Sequence, residues 1–208
     1  MGLSIAMKIN FPLLALAVGA FAIGTTEFSP MGFLPEITND LSVSIPQAGL
    51  LISAYAVGVM IGAPLMTLWL ARFPKKTALI LLMAIFTIGN VLATVAPDYM
   101  SLMGARLITS LNHGAFFGLG SVVAASVVPK DKQASAVAMM FMGLTIANIG
   151  GVPLATWLSQ NTSWRMAFAA ISILGIMTML ALWKALPQDH DVVKPNVAKE
   201  LPPIKFSY

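Results

Sequence analysis

The stretch 11–34, FPLLALAVGAFAIGTTEFSPMGFL, carries one ionisable side chain, Glu27, in an otherwise apolar run. A helix needs about 20 mostly apolar residues to cross a hydrocarbon core of about 30 Å, so this run is read as a membrane span. It is too long for the apolar region of a signal peptide, it contains an acid, and further spans follow it directly; it is therefore expected to be retained. Five further blocks meet the same length requirement: 49–71, 77–96, 99–128, 134–158 and 164–186. Pro35-Glu36, Pro74-Lys75-Lys76, Pro97-Asp98 and Pro129-Lys130-Asp131-Lys132 separate the first five. Each combines a helix-breaking proline with charge. Gln160-Asn161-Thr162-Ser163 forms a polar turn before the sixth.

Composition agrees with this reading. Hydrophobic residues make up 58% of the 208 residues and charged residues 10%, against roughly 45–50% and about 25% in soluble domains. The chain has no cysteine, which removes disulfides and thiolate metal sites. The net charge of +4 is spread thinly between apolar blocks and is no nucleic-acid footprint. The fold class expected is an all-α membrane protein, with a cytoplasmic N-terminus at 1–10, a six-helix domain at 11–186 and a flexible cytoplasmic tail at 187–208. Met7-Lys8-Ile9 also reads as a translation start, and the sequence does not decide between Met1 and Met7.

Orientation follows from the cations. With loops numbered alternately, one side holds Lys8, Arg72, Lys75, Lys76, Lys130, Lys132, Lys184, Lys194, Lys199 and Lys205, and the other only Arg165. That asymmetry places both termini in the cytoplasm of an inner (plasma) membrane protein.

An ionisable group at bilayer depth costs at least ~2.5–3.5 kcal/mol, so each is a functional candidate. Glu27 is read as the only acid inside a span, Arg106 as the only fixed-charge base and His113 as the only histidine there. Glu27 lies sixteen residues after Phe11, about 24 Å along a helix rising ~1.5 Å per residue. This puts it in the outer third of its span, level with Arg106. A direct or water-mediated pair would lower the cost of both charges; snorkelling to the interface is the competing reading. At ~100° per residue, Arg106, Ser110, His113 and Phe117 share one face, as an aqueous cavity wall would, while Asn112 points elsewhere. A histidine bonded to a neighbouring helix fits equally well. Thr145, Asn148, Gly151 and Ala155 form a second face in which packing outweighs substrate contact. Gly58/Gly62, Gly114/Gly118 and Ala147/Gly151 would let helices approach closely.

An enzyme is not expected. Ser121 and His113 lie eight residues apart on one helix, about 12 Å by helix rise and beyond the reach a nucleophile and base require. His190 falls in the tail. No metal cluster, phosphate loop or cofactor motif appears.

Certain motifs resemble a known family. Gly24-Thr25-Thr26-Glu27-Phe28, Ser53-Ala54-Tyr55-Ala56-Val57-Gly58, Leu111-Asn112-His113-Gly114-Ala115-Phe116-Phe117-Gly118 and Trp164-Arg165 are similar to the amino-terminal half of the major facilitator superfamily. Within it, the likeness is to twelve-helix drug:proton antiporters of the arabinose-efflux-permease group, and it covers Met7 to about Leu186. The signature loop after the second span is represented by Thr67, Ala71, Arg72, Pro74, Lys75 and Lys76, which keeps the basic residues but lacks the family's acid and both glycines. Ser110 replaces a glycine of the span-four arginine motif. Gly150-Gly151-Val152-Pro153 echoes the antiporter motif, with Ala155 and Thr156 in place of its final glycines.

The resemblance implies proton-coupled efflux of a small molecule, a sugar or a drug-like compound, by two six-helix bundles rocking about a midplane site. It places the proton-linked acid on Glu27, with Arg106 modulating it, and adds Tyr55 to Ser110, His113, Phe117 and Asn148 as cavity candidates. The expected partners are lipid, substrate and protons. A second bundle would complete the cavity, supplied by a truncated gene's missing half, a separate half or a homodimer; truncation is favoured. A non-transporting membrane remnant is the alternative.

Overall fold

A computed structural model describes residues 10–187. Lys8, Met7, His190, Lys194, Lys199 and Lys205, with all of the tail expected at 187–208 except Pro187, lie outside the described residues. Six helical segments are long and apolar enough to cross a membrane, and no strand occurs among the described residues. The first three are the single helices α1 (Phe11–Leu41), α2 (Ile45–Leu70) and α3 (Lys75–Thr94). The fourth consists of α4 (Tyr99–Ser110) and α5 (His113–Ser126), interrupted at Leu111-Asn112. The fifth opens with a 3-10 turn at Lys130–Lys132, continues as α6 (Gln133–Ile146), widens into a π turn at Ala147–Gly151 and ends as α7 (Val152–Asn161). The sixth is α8 (Trp164–Ala185).

Polar residues set the helix starts. Asn10, Ser44, Asp98 and Ser163 each accept a backbone N–H of the first turn of α1, α2, α4 and α8, meeting donors that helix geometry leaves unpaired. The Ser101 N–H bonds the Asp98 carboxylate at 2.9 Å and holds its pKa below the usual aspartate range. Its folded pKa is depressed, so the stability it gives is present above the ordinary aspartate pKa and disappears as pH falls through the lower folded value. Thermal scans of Asp98→Ala should therefore run below the parent at neutral pH and converge with it in strong acid; curves offset equally at both would contradict this cap.

One expectation about α1 needs correction. Pro35-Glu36 does not end the helix, which passes through Pro30 and Pro35 and stops at Leu41, where Ser42 takes a left-handed φ of 53°. A proline inside a membrane helix is tolerated when the carbonyl it strands finds another donor. Glu27 thus sits near the middle of α1 rather than in its outer third, and Glu36 and Asp40 are also helical. The other span limits differ by a few residues from the sequence reading, as with α2 starting at Ile45 and α3 ending at Thr94.

The helix α1 lies at the centre, touching α2, α6, α7 and α8, while α3 packs between α8 and α4. Small residues permit these approaches. A Cβ on Gly58 would strike Ser110, one on Gly62 would meet Leu111, and one on Gly114 would strike Ala63. Gly118 faces open space, so that spacing serves packing at one of its two positions. Hydrogen bonds tie the two ends of the bundle. At one end Asn10 Nδ2 donates to the Val127 carbonyl and Lys76 Nζ to the Leu186 carbonyl at 2.7 Å. At the other, Tyr99 donates to the Gln47 carbonyl, and Arg165 bonds both Asp40 and the Ala96 carbonyl. Trp164 Nε1 reaches the same Asp40 oxygen. The spans therefore alternate in direction, with the basic turns at the first end. The second and fifth spans leave the largest share of their length outward, including Met60, Leu68, Ile149 and Trp157, an apolar surface suited to lipid or a second bundle.

Candidate functional site

A polar cluster crosses the interior where α1, α2, α4 and α5 meet, and Pro30 explains its position. A helical N–H at residue 30 would bond the carbonyl of Thr26, but proline has no N–H. Arg106, fully buried on α4, fills that gap: its Nη1 donates to the Thr26 carbonyl at 2.9 Å. Thr26 in turn donates its hydroxyl to Asn90 Oδ1 of α3 at 2.7 Å, and Asn90 Nδ2 bonds the Phe86 carbonyl. The guanidinium carbon lies 4.2 Å from the centre of the Tyr55 ring, a cation–π distance. Its Nε and Nη2 find no acceptor among the described residues.

Of the direct or water-mediated Glu27–Arg106 pair expected from depth, the direct form is not present. The Glu27 carboxylate lies 3.8 Å from His113 Nε2, and Arg106 acts on it only through space. One residue of helix separates the two: Thr26 faces Arg106, whereas Glu27, one position on, turns about 100° away. The Glu27 side chain is 27% exposed and that of His113 14%, so the acid can meet solvent while Arg106 is sealed behind it. On its other side His113 places Nδ1 3.3 Å from the Tyr55 hydroxyl, and its ring centre lies 5.1 Å from that of Phe117. Phe117 stacks on Phe141 of α6, which was not among the residues expected at the site. Phe141 sits on a different span, and no single-helix periodicity could have linked it to Phe117.

Two other expected residues bond carbonyls of their own helical segments. Ser110 is buried against Gly58 and donates its hydroxyl to Leu107 of its own helix, so it packs α4 against α2. Asn148 is exposed in the π turn and donates to the Leu144 carbonyl. That turn inserts an extra residue, so Gly151 and Ala155 are buried while Thr145 and Asn148 stay exposed, and the face expected to be continuous is split. Gly151 meets Thr25 and Phe21 of α1, the packing role weighed for it. In the loop after α2, Arg72 donates to the Trp69 carbonyl and stacks near Trp69 and Phe73. Ser121 spends its hydroxyl on the Phe117 carbonyl. No group of three or more potential metal ligands occurs among the described residues.

Comparisons with known proteins bear on this arrangement. A family model described as Major Facilitator Superfamily matches residues 16–207. Over 195 residues the chain is 68% identical to an Escherichia coli K12 protein named inner membrane transport protein YdhP, covering 94% of this chain and 50% of that one. It is 40% identical to the putative transporter AraJ of the same organism, over 90% of this chain and 48% of AraJ. In structure it is similar to a partially occluded, inward-open form of the E. coli xylose transporter XylE, with a TM-score of 0.70 at 18% identity, covering 86% of this chain and 48% of XylE. The chain spans about half the length of the curated relatives it matches.

Proposed function

The chain belongs to the major facilitator superfamily, and on that premise we propose that it is the amino-terminal bundle of a proton-coupled exporter of a small molecule, sugar or drug-like. The observation that carries this reading is the partly exposed Glu27 carboxylate halfway along the central helix, beside His113 and one layer in front of the buried Arg106. A carboxyl removed from bulk water yet reachable by it can load a proton on one side of the membrane and release it on the other. Arg106, held by Thr26 and Tyr55, sets the local field without neutralising that acid outright. Tyr55, His113 and Phe117 border the same space, with Phe141 added by the fold. The end bearing Arg72, Lys75, Lys76, Lys130 and Lys132 is cytoplasmic by the distribution of positive charge.

Alternating access moves two bundles about a shared site, so the outward apolar faces of the second and fifth spans would receive a second six-helix unit. The competing reading, a membrane remnant that does not transport, rests on the half-length match. Reconstitution separates the two. Proteoliposomes holding the chain, alone and together with the carboxy-terminal half of a relative, are given an imposed pH gradient and a panel of pentoses and lipophilic drugs. Substrate-dependent proton flux in either preparation supports the exporter; flux at the lipid-only level in both leaves the remnant reading.

A further inference from the structure

We infer that Glu27 and His113 form one proton-binding unit, in which Tyr55 fixes the imidazole tautomer. The inference rests on the proposed export site and goes beyond it by assigning the second group that carries the proton.

The geometry supplies the argument. The two ring nitrogens of His113 face different partners, Nε2 the Glu27 carboxylate at 3.8 Å and Nδ1 the Tyr55 oxygen at 3.3 Å. In a neutral imidazole one nitrogen donates and the other accepts, and the partner of the first decides which. If the Tyr55 oxygen accepts from Nδ1–H, the lone pair of Nε2 is left facing Glu27. The glutamic acid O–H then passes its proton to Nε2, giving a carboxylate beside an imidazolium; the return step restores acid and neutral ring, and no other atom changes charge. The 3.8 Å separation exceeds a hydrogen bond, so transfer requires the two groups to draw together.

The surroundings suit such an exchange. Of the elements around His113, α1 presents Glu27, α2 Tyr55 and α4 Arg106, while α3 contributes neutral Asn90 by way of Thr26. Phe117, on the histidine's own helix, covers the ring and is itself stacked on Phe141 of α6. Arg106 lies against the Tyr55 ring, so a net charge change at Glu27–His113 would be felt by the buried cation. Passing the proton within the pair leaves that net charge unaltered.

The test uses the full chain in lipid bilayers with nitrogen-15 histidine. His190→Gln leaves His113 as the only signal, since the chain has two histidines. Neutral His113 is expected to carry its proton on Nδ1 and to protonate somewhere within roughly pH 4 to 9, the span in which imidazoles titrate. Its midpoint should coincide with a step in the carboxyl infrared band that Glu27→Gln removes, as coupled sites require. In Glu27→Gln the His113 midpoint should move by about one pH unit or more. Tyr55→Phe, which keeps the ring over Arg106, should raise the Nε2–H tautomer several-fold. A His113 midpoint identical in parent and Glu27→Gln, or a tautomer unaltered by Tyr55→Phe, overturns the inference. If Glu27→Gln abolishes proton flux yet leaves His113 untouched, the pair fails and the export reading stands. If the midpoint moves while flux persists, the pair stands and the coupling role of Glu27 fails.

Discussion

Replacing Glu27 by Gln is expected to bring substrate-dependent proton flux down to the lipid leak, with insertion and fold intact. Glutamine has nearly the same volume and keeps the polar contact near His113, but it cannot ionise. The fold does not depend on the charge: Glu27 is partly exposed, and the interior contacts of this turn come from Thr26 and Arg106. A charge-neutralising change also relieves the cost of placing a carboxylate at bilayer depth, at least ~2.5–3.5 kcal/mol. Folded yield should therefore match or exceed the parent while coupling is lost. The measurement is proton flux and substrate efflux in the same vesicles, made with whichever reconstituted form of the parent transports. Unchanged flux in a well-folded Glu27→Gln protein would remove the carboxylate from the mechanism.

The second large effect concerns folding. Gly143 on α6 lies so near α1 that a Cβ there would overlap the Ala17 carbonyl oxygen and stand 3.0 Å from the Phe21 nitrogen. Both are backbone atoms of the central helix, and neither can swing aside as a side-chain tip would. Gly143→Leu must push α6 off α1, widening the contact that also holds Gly151 against Thr25 and Phe21. Overpacking of this kind typically costs 1–3 kcal/mol, and a backbone obstruction should fall at or above about 3 kcal/mol. Little monodisperse protein should be recovered, and what is recovered should melt well below the parent. Gly104→Ala is the control: a Cβ there meets nothing within 4 Å, and alanine favours the helix by up to about 1 kcal/mol. If Gly143→Leu melts with the parent, the close approach of α6 to α1 is disproved.

Within the site, the ionisable residues are legible in the sequence, whereas the contact between Glu27 and His113 is not. Cost of burial singles out Glu27, Arg106 and His113 without any coordinates, because water is the only cheap solvent for charge. Pairing depends on rotation about the helix axis. Thr26 and Glu27 are adjacent in sequence and about 100° apart in space, so the carbonyl of one takes the arginine and the carboxylate of the other takes the histidine. Pro30 held the signal for the first contact, since a mid-helix proline always strands the carbonyl four residues earlier. The span 11–34 includes Pro30, but which donor meets the stranded carbonyl is decided by another helix.

Hydropathy and the placement of cations determine that the chain is a membrane bundle of six spans, because transfer to hydrocarbon is summed residue by residue and requires no knowledge of neighbours. The same local sums show which residues are too costly to be inside without a purpose. Tertiary structure decided the rest. It carried α1 through Pro35 to Leu41, moved Ser110 into a helix contact, split the α6–α7 face at the π turn and brought Phe141 to Phe117. Each of these depends on what a second helix offers at a given height and angle, information that no single span contains.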